Sequence, residues 1–493
     1  MGNPENYFQF QQEDKKEHFT MDAPHVVVLP FPAQGHIKPM LMLAQLLCHG
    51  AGGFNITFVN TDHNHSRLLN LIDQTAFSRR FPTLQFMSIP DGLSPEHPRT
   101  GPSIVDLFFS TNSVSKPEFR NLIVSLSQEP TCIIADGTMS FAIDVADELG
   151  IPVITFRTYS ATCTWIYFHL QKLIRNGEIP VVEGNGDMDK QISCIPGLEN
   201  ILRRRDLPSI CKLEPDDPIM QFYITQTSKM TRASALILNT FQELETPIIS
   251  HLQSIFPTVY TIGPLHTLID SPSKNLSSLI QMDESCIKWL DSQHPKSVLY
   301  VSFGSVIVLS HDQLLEFWYG LVNSGKPFLW VIRPDLVVDN NEPNKIPDEL
   351  KMATKERGCI VSWAPQEDIL SHQAVGGFLT HSGWNSTLES ITFGVPMICW
   401  PMITDQQVNS RCVSELWKVG FDMKDTCDRS TVEKFVRDVM EDRRQEIMES
   451  TVKNARLAHD SIHEGGSSYR NTKKLVQDII SIHLSKNASK GNE

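Results

Sequence analysis

The ten cysteines of this chain include no C-x-x-C pair. That removes zinc ribbons and dithiol redox motifs and leaves the reduced thiols of a cytoplasmic protein as the plain reading. No apolar run reaches the roughly 18 residues that a membrane-spanning helix requires. Residues 1–22, with Gln11-Gln12-Glu13-Asp14-Lys15-Lys16, are polar and lack the apolar stretch of a signal peptide. They read as a disordered extension, and without secretion a triplet such as Asn55-Ile56-Thr57 carries no glycan. Positive charge is also scarce, 43 Lys and Arg against 57 Asp and Glu, for a net charge of −14. Such a balance excludes general nucleic-acid binding, which needs clustered cations on phosphates. The absence of G-x-G-x-x-G argues against a dinucleotide oxidoreductase, and that of G-x-S-x-G against an α/β-hydrolase.

What is present is a globular composition, 41% apolar and 20% charged over 493 residues. That length predicts two domains of about 200–250 residues each. Short, continuous β-branched runs recur at 25–30, 55–60, 84–88, 132–135, 152–156, 235–239 and 259–262, then at 297–303, 328–332, 359–362, 377–380 and 396–400. Continuous rather than alternating runs mark strands covered on both faces. Helical patterns between them, such as 38–48 and 312–324, imply right-handed βαβ units and parallel sheets. The fold class is therefore α/β, with two doubly wound, Rossmann-like domains facing each other across a cleft. Gly263-Pro264 and the Ser-, Asp- and Asn-rich stretch after it mark a linker. The expected division is 23–265 as an acceptor-binding domain, 266–283 as linker and 284–458 as a donor-binding domain. Residues 459–493 would then form a helix packing back on the first domain, followed by a tail.

The densest chemistry lies in residues 363–406, WAPQEDILSHQAVGGFLTHSGWNSTLESITFGVPMICWPMITDQ. Gly377–Thr380 reads as a strand and His381-Ser382-Gly383-Trp384-Asn385-Ser386 as a turn entering a helix. A helix start offers unpaired N–H groups and positive dipole, Gly383 lets backbone approach an anion, and His381, Asn385 and Ser386 add donors. Together these make a diphosphate site that needs no metal.

This stretch closely resembles the sugar-nucleotide box of plant family 1 UDP-glycosyltransferases. The resemblance extends over nearly the whole chain from about Pro24, through FPAQGHIKPM, CIIADGTMSF, TIGPL, VLYVSFGS and EGGSSYRN in order. It implies the two-domain GT-B fold and inverting transfer without a metal or other cofactor, UDP-glucose being a co-substrate. It also implies roles at matching positions. Trp363 would stack on uracil, and Gln366 and Glu389 would bind ribose. His381, Gly383, Asn385 and Ser386 would hold the diphosphate, Trp384, Asp405 and Gln406 the sugar, and Ser305 is a further donor-binding residue. Gln406, where the family often has His for galactose, favours glucose. Ser382 departs from the Cys many members carry; both are small.

His36 follows the first strand and Asp136 ends an apolar strand, so both stand at the carboxyl edge of one parallel sheet. A neutral imidazole suits removal of a hydroxyl proton near pH 7, and a carboxylate on its other nitrogen fixes the tautomer. The family uses a His and an Asp at these positions in these roles. The acceptor walls are expected from the first domain, with Gly35, Phe109, Met139, Phe141 and Trp165 as candidates. They imply a small, lipophilic partner with a polar handle. Similarity of residues 236–265 to terpenoid and iridoid glucosyltransferases favours a monoterpenoid or iridoid, with a phenolic or flavonoid second. A member that binds without transferring, and an epimerase needing no acceptor, stay open. No nucleic acid, membrane span or second subunit is expected.

Three other features resemble functional motifs less closely. Asp187-Met188-Asp189 has the D-x-D form of metal-dependent transferases but follows no strand, so it reads as a solvated loop. Arg203-Arg204-Arg205 likewise reads as a solvated turn. His63-Asn64-His65 lacks further metal ligands.

Overall fold

The computed structural model describes residues 23–49, 53–182, 187–269, 282–334, 336, 347–424 and 426–490. The expected extension 1–22 and most of the expected linker lie outside the described residues. The chain divides into two compact units. One holds the described residues of Met1–Phe168, Asp216–Leu279 and Asp460–Glu493, the other those of His169–Pro215 and Ile280–His459.

The first unit is built on a seven-stranded sheet: β1 (His25–Leu29), β2 (Asn55–Thr61), β3 (Leu84–Ile89), β4 (Cys132–Asp136), β5 (Val153–Arg157), β6 (Ala235–Leu238) and β7 (Val259–Thr261). The spatial order is β3-β2-β1-β4-β5-β6-β7, every pair parallel. Every residue of β1, β4 and β5 is buried, which is why these runs carry no polar alternation. Each fully buried Val or Ile contributes about 1.5–3 kcal/mol. The second unit has β8 (Val298–Ser302), β9 (Phe328–Val331), β10 (Gly358–Val361), β11 (Val375–Thr380), β12 (Met397–Cys399) and β13 (Gly420–Asp422). Its order is β10-β9-β8-β11-β12-β13, again all parallel. In both sheets the order reverses direction once, between β1 and β4 and between β8 and β11. Such a reversal opens a crevice beyond the strand ends, where doubly wound folds bind their ligands.

One boundary differs from expectation. Residues 169–215 cluster with the second unit instead of the first. The reason is ionic: Asp206, wholly buried, is gripped by Arg203, Arg411 and Lys424, and Thr404 N–H donates to Ser209 Oγ at 2.8 Å. The last helix, Ser467–Lys490, belongs to the first unit, with Leu475 and Ile479 inside its core and Asp478 accepting from the Tyr260 hydroxyl. Among the described residues no helix is long and apolar enough to cross a membrane.

Candidate active site

His36 lies in the first turn of the helix Gln34–His49, directly after β1, and Asp136 closes β4. Because β1 and β4 are neighbours at the reversal of the first sheet, the two side chains meet: His36 Nδ1 to Asp136 Oδ2 is 2.7 Å. The carboxylate is fully buried, while part of the imidazole reaches solvent. Asp136 Oδ1 accepts the Thr138 N–H at 2.7 Å. Burial opposes ionisation of Asp136, but His36, the Thr138 N–H and the Arg157 charge outweigh it and hold the carboxyl below its ordinary range. Thr158, one residue past β5, brings its Oγ1 within 2.9 Å of the same His36 Nδ1. The sequence reading missed Thr158, although it follows an apolar strand just as Asp136 ends one. The arrangement favours the tautomer with the proton on Nδ1, toward Asp136, and leaves Nε2 as the accepting nitrogen of the ring.

The second reversal carries the candidate donor site. Thr380 of β11 pairs with Ser302 of β8, so the two following turns, Phe303-Gly304-Ser305 and His381-Ser382-Gly383, lie side by side. The helix Trp384–Thr392 starts from Gly383. A Cβ on Gly304 would come 2.6 Å from the His381 ring, and one on Gly383 would fall on its Nε2. Gly383 was expected to admit an anion; the neighbour it first makes room for is this imidazole. Ser382 adopts φ +64, uncommon for a non-glycine residue. Burial and the Arg333 guanidinium push His381 down to about 4, so the ring is neutral near pH 7. Arg333, absent from the sequence reading, donates to the Gly304 and Ile307 carbonyls and so holds the Ser305 turn.

The remaining donor residues fall into two groups. Gln366 Nε2 donates to Ser386 Oγ at 2.9 Å and to Glu389 Oε2 at 2.7 Å, which joins the two expected ribose ligands. Trp363 is half-buried just past β10, its carbonyl accepting the Asp283 N–H at 2.9 Å. Asn409 Nδ2 bridges the Ser382 carbonyl (2.9 Å) and Asp405 Oδ2 (2.7 Å), tying the His381-Ser382-Gly383 turn to the expected sugar ligand. Gln406 Oε1 accepts the Met402 and Ile403 N–H groups at 2.9 and 3.0 Å, which commits its oxygen and fixes the orientation of the amide. Asn385 is half-buried in the first helical turn. Trp384 is 3% exposed and packs on Trp417, so it anchors the helix inside the unit.

The family model for UDP-glucoronosyl and UDP-glucosyl transferases matches residues 131–461. The chain belongs to this family. It is an enzyme of the UDP-sugar-dependent glycosyltransferase class. It is 50% identical to 7-deoxyloganetic acid glucosyltransferase of Catharanthus roseus over 476 residues, covering 93% of this chain and 98% of the relative. It is 44% identical to myricetin 3-O-rhamnoside 1,2-glucosyltransferase UGT709G2 of Crocosmia x crocosmiiflora over 466 residues, 93% of this chain and 96% of that one. Among solved structures, Medicago truncatula UGT71G1 complexed with UDP-glucose matches with TM-score 0.77 and 27% identity, over 93% of this chain and 99% of that one.

In this glycosyltransferase the acceptor candidates separate. Gly35 is exposed in the first turn beside His36. Met139 is buried in the turn after Asp136, its N–H on the Asp136 carbonyl at 2.8 Å. Phe141 is not at the dyad: it is 1% exposed and packs on Phe119. Trp165 turns away too, stacked on His251 with centroids 5.1 Å apart. Helical period sends Trp165 and Tyr167 to different faces, and Tyr167 is the one toward the dyad. Phe109 is largely exposed against Phe222. His36 belongs instead to a circuit of rings, three of them (Phe108, Tyr159 and Tyr167) from the stretches 106–109 and 158–168 that the sequence offers as acceptor walls. The circuit runs His36, Phe31 (5.1 Å), Phe108 (5.1 Å), Tyr223 (5.6 Å), Tyr167 (5.2 Å) and Tyr159 (5.8 Å), and closes on His36 (5.7 Å).

The D-x-D loop and the arginine run answer each other. Arg203 and Arg205 donate to Asp189 at 3.0 Å each, and Arg204 pairs with Asp187 and Glu178. The run is thus a largely buried clamp, not a solvated turn, because its counter-charges lie in the same unit. Among the described residues no three His, Cys, Asp or Glu side chains are grouped to hold a metal.

Proposed function

We propose that this enzyme transfers glucose from UDP-glucose to a hydroxyl or carboxyl group of a small terpenoid, most closely an iridoid, giving a β-glucoside. The observation that carries the reading is the His36–Asp136 pair at 2.7 Å on the reversal of its sheet, with the Phe31 and Tyr159 rings edge-on to the imidazole. His36 Nε2 takes the proton from the acceptor oxygen, which attacks the anomeric carbon. The bond from that carbon to the diphosphate oxygen breaks, and UDP leaves with the electron pair. Asp136 stabilises the imidazolium. The N-terminal N–H groups of the helix Trp384–Thr392, with His381, Asn385 and Ser386, take up the charge on UDP, so the reading requires no metal. A single displacement on an α-linked donor inverts it. Trp363 stacks on uracil, Gln366 and Glu389 bind ribose, Ser305 and Gly383 frame the diphosphate, and Asp405 and Gln406 bind the sugar.

The iridoid assignment leans on the relative that is 50% identical, named for 7-deoxyloganetic acid. A flavonoid acceptor is the second reading, since the myricetin-glycoside enzyme is 44% identical. The same reading has the enzyme work in the cytoplasm as a monomer. The test is a mass-spectrometric screen with UDP-glucose, EDTA and a panel of iridoids, monoterpenols, flavonoids and phenolic acids, beside His36→Ala. A product one hexose heavier, lost in the variant, is expected. Absence of any product while UDP still binds would overturn transfer in favour of a binding role.

A further inference from the structure

Arg157 ends β5 and is 1% exposed, among the largest fully buried side chains of the molecule. A buried guanidinium is costly unless an anion and hydrogen-bond acceptors meet it. Its Nη1 reaches Thr138 Oγ1 at 3.4 Å, a long bond. Its Nε and Nη2 have no hydrogen-bond partner. These two nitrogens form one edge of the guanidinium, the edge that grips both oxygens of a carboxylate. The carboxylate that feels its charge, Asp136, makes no hydrogen bond to that edge; its Oδ2 meets His36 and its Oδ1 the Thr138 N–H.

The surroundings say where such an anion would come from. The guanidinium carbon lies 5.1 Å from the Tyr159 ring centre and 5.7 Å from that of Tyr167. Both rings belong to the aromatic circuit closed by His36. One tyrosine ring therefore separates an unsatisfied cation from the candidate catalytic base. Gly137 passes close to this side chain: a Cβ there would stand 3.0 Å from Arg157 Cδ and from Met230 Sδ and 3.1 Å from Arg157 Nε, so a larger residue would crowd the guanidinium.

We infer that Arg157 is a specificity residue that binds a carboxylate carried by the acceptor, separate from the oxygen that is glucosylated. The preferred substrates are thus terpenoid acids with a second, nucleophilic oxygen a few bonds away, lying along the aromatic circuit with the carboxylate on Arg157 and the hydroxyl at His36. This rests on the reading of His36 as the acceptor-side base.

The test compares 7-deoxyloganetic acid with its methyl ester on the wild type, Arg157→Met and Arg157→Lys. The wild type is expected to show a kcat/KM for the acid about tenfold or more above that for the ester, the scale of a charge-assisted bidentate pair. Arg157→Met should erase the ratio by raising KM for the acid far more than KM for the ester, any loss in kcat through Asp136 falling on both compounds alike; Arg157→Lys should recover part of the ratio. Equal loss on both compounds, or no preference in the wild type, overturns the inference and leaves glucosyl transfer standing. Calorimetric binding of the acid with UDP present reads the site without turnover. Affinity unchanged in Arg157→Met refutes the inference even if no acceptor is glucosylated, an outcome that would count separately against the proposed function.

Discussion

Replacing Asp136 by Asn perturbs one proton while changing almost no volume. In the wild type Oδ2 accepts from His36 Nδ1 at 2.7 Å and Oδ1 from the Thr138 N–H at 2.7 Å. An amide can keep only one of its two ends as an acceptor. With its oxygen retained on the Thr138 N–H, its NH2 faces His36 and drives the imidazole into the other tautomer, with the proton on Nε2. The base is then lost and the imidazolium has no counter-charge. Pairs of this kind lose about 10³–10⁴-fold in kcat on such a change, near the upper range for general-base catalysis. The assay is initial-rate product formation with KM for donor and acceptor measured separately. Donor KM should hold, and Asp136→Asn combined with His36→Ala should be no worse than His36→Ala alone, because the two act as a unit. A loss below about tenfold would refute the reasoning, as would additive losses in the double variant. The same carboxyl sets a stability term. Its folded pKa lies below the unfolded value of about 3.9, so its contribution is present above that value and disappears as pH falls through the folded one. The stability gap between wild type and Asp136→Asn, read by chemical denaturation, should therefore narrow on acidification below about pH 4.

Further outcomes follow from the donor side and from the scaffold. Gly383→Ala puts a methyl onto His381 Nε2; UDP affinity, measured by calorimetry, should fall by at least about tenfold for a displacement near 1 Å. Arg333→Met removes a cation that lowers His381 and frees the Gly304 carbonyl. The His381 titration, followed by NMR, should move up from about 4, with weaker UDP binding. Glu245 is buried and accepts from the Ala161 N–H (3.1 Å), the Thr162 N–H (2.9 Å) and the Thr162 hydroxyl (2.8 Å), holding the start of the helix Ala161–Phe168. Glu245→Ala should cost about 2–4 kcal/mol by denaturation, from donors left buried without a partner.

Both sheets were legible because strands buried on two faces leave apolar runs that no helix of similar length would keep so short. β13 was not, since Gly420-Phe421-Asp422 is too brief to stand out. His36 and Asp136 were legible from strand-end placement alone. Thr158, Arg157 and Arg333 obey the same logic at the ends of β5 and β9, and were passed over because the apolar runs were read as closing before them. The unit to which residues 169–215 belong rests on Asp206 meeting Lys424, a pairing across more than two hundred residues that no local pattern announces. The acceptor candidates failed where a face had to be chosen. Trp165 and Tyr167 are two residues apart on one helix, and only tertiary packing decides which of them meets the dyad.

The claim most directly open to measurement is direct displacement by a base on the acceptor side. Product from α-linked UDP-glucose, made in EDTA with the best acceptor of the panel, would be examined by proton NMR at its anomeric centre for both the wild type and His36→Ala. A β-glucoside from the wild type and none from the variant is the predicted result. An α-glucoside, or undiminished product from His36→Ala on a hydroxyl acceptor, would contradict it.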